Sequence, residues 1–193
     1  MKAFAALAAV IALVALPVAV QNAHAQVELS LGGGVSSPLG DFGDQVNTGY
    51  MLTAGIGYRF MPLIAVGGEF CFNGNKATDE LLSSLGPEYE ASTHILQYSG
   101  MVKLLLPVAN HNVFVKGLMG SYHASAKVSG PLGEASVSDS QLGYGIGGGL
   151  VINGASGTSL FLDTTYHHIP FDDGATNFLT ISAGGIFHFN LFE

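Results

Sequence analysis

The sequence predicts an all-β fold: an eight-stranded antiparallel up-and-down transmembrane barrel, preceded by a cleaved signal peptide. Three observations lead there. Apolar residues alternate with small or polar ones in eight segments of about ten residues, the period of a strand whose two faces meet different surroundings. Only 10% of the 193 residues are Asp, Glu, Lys or Arg, against about 25% in an ordinary soluble domain. Glycine stands at 27 residues, about twice its usual share. The same composition excludes other classes. Disordered chains are charged and poor in aromatics, and collagen needs glycine at every third position. Six Lys+Arg against 14 Asp+Glu give a net charge of −8, the wrong sign for a phosphate backbone.

The leader comes first. Lys2 is the sole charge before Glu28, Ala3 to Val20 is apolar and broken by Pro17, and Ala23-His24-Ala25 supplies a small-x-small cleavage site. The expected division is therefore 1–25 as signal peptide, cut after Ala25, and 26–193 as one barrel domain. Cys71 is the single cysteine, which excludes an internal disulfide; a small residue within a strand is the expected role.

Eight strands follow. The first sets Val27, Leu29, Leu31, Gly33 and Val35 on one face. The second sets Tyr50, Leu52, Ala54, Ile56, Tyr58 and Phe60 against Met51, Thr53, Gly55, Gly57 and Arg59. The third has Ile64, Val66, Gly68, Phe70 and Phe72 against Ala65, Gly67, Glu69 and Cys71; the fourth has Leu96, Tyr98, Gly100, Val102 and Leu104 against Gln97, Ser99, Met101 and Lys103. The fifth, Val113 to Ala124, is apolar on both faces, with Lys116 as its one guide to phase. The sixth opposes Leu142, Tyr144, Ile146, Gly148, Leu150 and Ile152 to Gln141, Gly143, Gly145, Gly147 and Gly149. The seventh opposes Leu160, Leu162, Thr164 and Tyr166 to Phe161, Asp163, Thr165 and His167. The eighth opposes Leu179, Ile181, Ala183, Gly185, Phe187, Phe189 and Leu191 to Thr180, Ser182, Gly184, Ile186, His188 and Asn190.

The connections alternate in length. Met61-Pro62, Pro107 to Asn112 and Asn153 to Thr158 are short turns; Ser36 to Gly49, Gly74 to Thr93, Ser125 to Ser140 and His168 to Asn177 are expected as longer loops. In an up-and-down meander all short turns then share one end, the plan of a transmembrane barrel with short periplasmic turns and longer extracellular loops. In the longest loop, Thr78 followed by Asp79 and Glu80 predicts a short helix with Leu81, Leu82 and Leu85 on its apolar side, stopped at Gly86-Pro87.

Alternation alone does not say which face is inside. A soluble barrel would need its polar face toward water, yet Gln141-x-Gly143-x-Gly145-x-Gly147-x-Gly149 facing water gains nothing. Facing inward, those glycines leave room in a lumen only wide enough for side chains, here Arg59, Glu69, Lys103 and Lys116. The Leu, Ile, Val, Tyr and Phe face suits hydrocarbon, and aromatics near strand ends, such as Tyr50, Tyr58, Phe60, Phe72, Tyr98, Tyr144, Tyr166, Phe187 and Phe189, form interfacial girdles. Closure pairs every backbone group, as lipid demands.

Ser37-Pro38-Leu39-Gly40-Asp41-Phe42, Gly55-Ile56-Gly57-Tyr58-Arg59-Phe60 and the last-strand pattern Ser182-x-Gly184-x-x-Phe187-x-Phe189 resemble the small eight-stranded outer-membrane β-barrel family of Gram-negative bacteria, OmpX-like or OmpA-barrel-like, over residues 26–193. The resemblance implies localisation in the cell outer membrane, contact with outer-membrane lipid, assembly through barrel-assembly machinery that reads the last strand, and an extracellular partner reached through loops. One departure is that Phe192 is out of phase and Glu193 is terminal, where the family ends on an outward aromatic.

Candidate chemistry is sparse. Arg59, Glu69, Lys103, Lys116, Asp163 and His188 are placed in the lumen and read as a compensated interior network, since charges away from water must be paired. His94, His123, His167 and His168, with Asp172 and Asp173, sit near the loop end; none has helical i, i+4 spacing or a cysteine partner, so no metal ligand set is assigned. Tyr166-His167-His168-Ile169-Pro170 is the nearest approach to the His-x-Ser motif of outer-membrane lipid A deacylases, but Pro170 takes the serine position and no nucleophile stands beside the histidine. Gly143-Tyr144-Gly145-Ile146-Gly147 lies mid-strand without a following helix and is no nucleotide loop. The expected function is a structural or surface-interaction role as a loop-presenting scaffold: no open pore, no enzyme activity, no cofactor, no catalytic residue and no nucleic-acid partner. The alternatives are a lipid A deacylase-like outer-membrane enzyme and a soluble periplasmic barrel that binds an apolar ligand. The longest loop, Gly74 to Thr93, is the first place to look for binding.

Overall fold

The computed structural model describes residues 26–190 apart from 86–87, 132, 155–156 and 172–173. The leader and its cleavage after Ala25, the Gly86-Pro87 stop, Asp172-Asp173, the side chains of Leu81 and Leu85, and Leu191, Phe192 and Glu193 lie outside the described residues. The eight strands are β1 (Gln26–Leu39), β2 (Gly49–Met61), β3 (Ile64–Lys76), β4 (Glu90–Val108), β5 (His111–Gly130), β6 (Gly133–Asn153), β7 (Thr158–Phe171) and β8 (Gly174–Asn190), with two short helices, α1 (Asp41–Gln45) and α2 (Asp79–Leu85). Each strand pairs antiparallel with the next, and β8 pairs with β1 to close the ring.

The alternation resolves as the composition argument requires. Leu31, Leu52, Ile56, Tyr98, Met119, Ile146, Leu160 and Phe189 are exposed on the outer surface, while Met51, Cys71, Gln97, Lys116, Asp163 and Thr165 are buried inside. A water-soluble barrel would carry the reverse pattern. The fifth strand takes the phase indicated by Lys116: Phe114, Leu118 and Tyr122 share its inward face and are buried, whereas Val113, Val115 and Met119 face out.

Registers around the ring define the stagger. Following direct partners from Gln26 through Arg59, Ala65, Lys103, Lys116, Gly147, Thr165 and Thr180 returns to β1 at Ser36, ten residues farther along. Strands in such a barrel are necessarily tilted to its axis. The inward glycines of β6 make room for bulky neighbours rather than for the lysines. A Cβ at Gly143 would lie 2.8 Å from the Tyr122 ring, and one at Gly149 would lie 2.8 Å from Phe114 Cζ.

Two expected loops are not loops. Ser125 to Ser140 is a hairpin whose pairing runs unbroken from Ser125–Ser138 up to Gly130–Gly133. His168 to Asn177 likewise pairs to Phe171–Gly174. Serine, glycine and alanine there carry weak strand signals, but a ladder whose register is already set extends without a further loop closure. The helix in the long loop forms as Asp79–Leu85, its first turn acidic, with Leu82 N–H donating to Thr78 O at 3.1 Å. Helix α1 was not apparent in the sequence; its Phe42 packs against the apolar group at the loop end of the lumen.

Candidate functional site

The lumen is filled in layers, and each layer follows from strand parity. At the short-turn mouth, Arg59 pairs with Glu28, while His188 Nδ1 lies 3.8 Å from Glu28 Oε1 and its Nε2 lies 2.9 Å from Ser159 Oγ. Glu28 stands directly opposite His188 and diagonal to Arg59 in the ladder. Above it comes an apolar plug of Ala65, Leu105, Phe114, Val151, Phe161 and Ile186.

The charged layer is next. Lys116 Nζ reaches both Glu69 Oε2 and Asp163 Oδ2 at 2.8 Å, and all three side chains are largely buried. Thr165 Oγ1 donates to Asp163 Oδ1 at 2.7 Å. Lys103 lies 4.9 Å above the Phe114 ring, a cation–π arrangement suited to an ammonium in a narrow apolar site. The space left between these groups is about 30 Å³, room for about one water.

A neutral polar layer follows. Tyr122 Oη and His167 Nδ1 are 3.0 Å apart, His167 Nε2 and Thr180 Oγ1 are 3.2 Å apart, and His167 stacks on Phe178 at 4.5 Å. The loop-end plug of Ile95, Tyr122, Ile169 and Phe178 closes the top. A charged layer between two apolar plugs, with one water-sized void, is a packed core and not a channel.

All six residues placed in the lumen by parity are there. Their pairing was not legible. Arg59 meets neither Glu69 nor Asp163 but Glu28, whose inward phase was available from Val27 and Leu29 on either side. The four loop-end histidines are separated by the same parity. His167 is buried in the lumen. His94 stacks on Phe72, His123 Nδ1 meets Ser140 Oγ at 2.7 Å, and His168 Nδ1 meets Asn177 Oδ1 at 2.7 Å. Among the described residues no group of three or more His, Cys, Asp or Glu side chains is arranged to hold a metal ion. In the deacylase-like motif the histidine two places before Pro170 is His168; both take the outward face of β7, with a proline where the serine hydroxyl would stand and His168 Nδ1 2.7 Å from Asn177 Oδ1.

A closed, staggered eight-strand ring, apolar outside and ion-paired inside, defines an integral membrane β-barrel. The chain belongs to the outer membrane protein beta-barrel domain family, whose model matches residues 6–187, and is therefore a protein of the outer membrane. Among solved structures it is similar to Ail, the attachment invasion locus protein of Yersinia pestis, in complex with the heparin analogue sucrose octasulfate: 20% identity, TM-score 0.59, 85% of this chain and 99% of that one. A major outer membrane protein of Thermus thermophilus matches at 13% identity and TM-score 0.59 over 84% and 99%. Neisserial surface protein A matches at 15% and 0.50 over 86% and 97%. No curated protein matches significantly.

Proposed function

We propose that this protein is a non-enzymatic scaffold of the outer membrane that presents its extracellular strand extensions and loops to a partner of basic character. The observation that carries this reading is the packed lumen: with no route through the barrel, the loop end is where function is left to reside. Its charge supports a cationic partner. Glu28, Glu69 and Asp163 are luminal, and among the described residues eight of the 14 carboxylates, from Asp41 to Asp139, lie at the loop end, where only Lys76 and Lys127 oppose them. A polyanion such as the heparin analogue bound by Ail meets repulsion at these loop tips. In this reading residues 1–25 serve as an export leader, and the outward Phe187 and Phe189 with Gly184 of β8 engage the assembly machinery.

The test has two arms. Protein reconstituted in planar bilayers should give no steady conductance, and cells displaying it should bind fluorescent oligolysine but not fluorescent heparin. Stable conductance, or preference for heparin, would overturn the proposal. An unchanged lipid A acylation pattern on expression separates it from the deacylase-like reading.

A further inference from the structure

Glycine stands on both faces of the barrel wall, for different reasons. On the inner face it makes room for the chain itself: a Cβ at Gly67 would run into the Ile56 carbonyl. On the outer face a Cβ at Gly68 would meet nothing nearer than Ser99 O at 3.6 Å, and one at Gly100 nothing nearer than Met119 O at 3.9 Å. The fold has room for a side chain at both positions. Glycine inside a strand costs stability, and where packing does not require it, it marks a place where another body approaches the backbone closely.

The register gives the shape of the space left open. Direct cross-strand partners point to the same side of a sheet. One outward row runs Phe187–Leu29–Ile56–Gly68–Gly100 from β8 to β4, and the next toward the loop end runs Gly185–Leu31–Ala54–Phe70–Tyr98. Between these rows lies an open groove of about 580 Å³, floored by Ser30, Gly55, Glu69 and Ser99, whose side chains point into the lumen. Phe70 and Tyr98, with ring centroids 5.3 Å apart, stand at its upper end, and Phe187 and Phe189 at its lower end. Four strand spacings of about 4.8 Å make the groove about 19 Å long. The ladder climbs ten residues toward the loop end in one turn of the ring, so the groove also climbs, by about 12 Å for strands tilted about 40°. The hydrocarbon of one leaflet is about 15 Å deep.

We infer that this groove holds one acyl chain of a phospholipid from the periplasmic leaflet, with its ester end at Phe187 and Phe189 and its tip at Phe70 and Tyr98. The groove is continuous with the lipid-facing wall, so hydrocarbon enters it without crossing a polar surface. Burial against protein brings no hydrophobic gain to a chain already in lipid; van der Waals contact with the floor and both walls is what holds it. The direction follows from position: Phe189 is one residue short of the end of β8, at the bilayer margin, whereas Tyr98 stands ten residues in from the short-turn end of β4. The outward row at that margin, Phe189–Val27–Tyr58, carries no charge, so the chain rather than the headgroup is recognised. This lipid site is independent of the loop-end partner.

The test uses the folded chain in phospholipid nanodiscs containing phosphatidylethanolamine with a diazirine on one acyl chain, either next to the ester or at the chain tip. After photolysis the labelled residues are mapped by mass spectrometry. The tip probe should label Phe70 and Tyr98 about fivefold more than Met119 and Ile146, which are exposed on the outer faces of β5 and β6. The near-ester probe should label Phe187 and Phe189. Ala54→Leu with Gly68→Leu fills the groove and should bring tip labelling of Phe70 and Tyr98 down to the level of Met119 and Ile146. Gly117→Leu, on the outer face of β5 beyond the groove, should leave it unchanged. Heat-modifiable gel migration confirms that each variant is folded. Labelling that is even around the ring, or that survives in the filled variant, overturns the inference. Reversed polarity, with the tip probe at Phe187 and the near-ester probe at Tyr98, places the lipid in the opposite leaflet and overturns the assignment. A dimer in native mass spectrometry that the double substitution abolishes gives the groove to a second copy of the chain and overturns it as well.

Discussion

Replacing Lys116 by methionine tests the central claim about the lumen, that its charges are present in compensating sets. Methionine keeps the length of the side chain and removes the ammonium. Glu69 Oε2 and Asp163 Oδ2 each lie 2.8 Å from Lys116 Nζ, so the two carboxylate oxygens are no more than about 5.6 Å apart. At an effective dielectric constant of about 20, two such charges repel by about 3 kcal/mol. Each also loses its buried counter-ion, and breaking one buried pair costs about 3–5 kcal/mol in measured cases. The expected loss is therefore about 3–5 kcal/mol. The assay is urea unfolding in lipid vesicles, with the folded fraction read from migration of unboiled protein in SDS gels. The triple variant Lys116→Met, Glu69→Gln, Asp163→Asn removes the orphaned charges and should recover to within about 2 kcal/mol of the parent. A single variant that costs less than about 1 kcal/mol, or a triple variant no more stable than the single, would refute the reasoning.

Three further outcomes follow from the same geometry. Gly147→Val should abolish folding or cost about 3 kcal/mol or more, because a Cβ there meets Thr164 O at 2.5 Å and Thr165 Cα at 3.0 Å; Gly117→Val, on the lipid face with nothing within 4 Å, should change stability by less than about 1 kcal/mol, both read by folded yield in the same gel assay. Tyr122→Phe should cost about 1–2 kcal/mol by leaving His167 Nδ1 without its partner at 3.0 Å in a buried layer, measured by urea titration. A membrane-impermeant maleimide applied to intact cells should label Val137→Cys, on the exposed arm of the β5–β6 hairpin, but neither Asn110→Cys at a short turn nor buried Cys71; labelling of Asn110→Cys instead would invert the orientation.

By itself the sequence determined the class, the number of strands, the face each residue takes and the end at which the long connections lie. Each of these depends on local information: a period of two places every inward residue once one residue on the strand is assigned, as Lys116 does for β5 and as Glu69, Asp163 and His188 do for β3, β7 and β8. The excess of glycine and shortage of charge then chose between a lipid-facing and a water-facing exterior. Tertiary structure alone decided what meets what. Glu28 finds Arg59 and His188, and Lys116 finds two carboxylates from strands on either side, because of the ten-residue stagger around the ring, a global quantity no single strand encodes. The pairs from Ser125–Ser138 to Gly130–Gly133 and from His168–Asn177 to Phe171–Gly174 likewise depend on the tertiary structure. Their residues have little preference of their own and are recruited by partners already held in register.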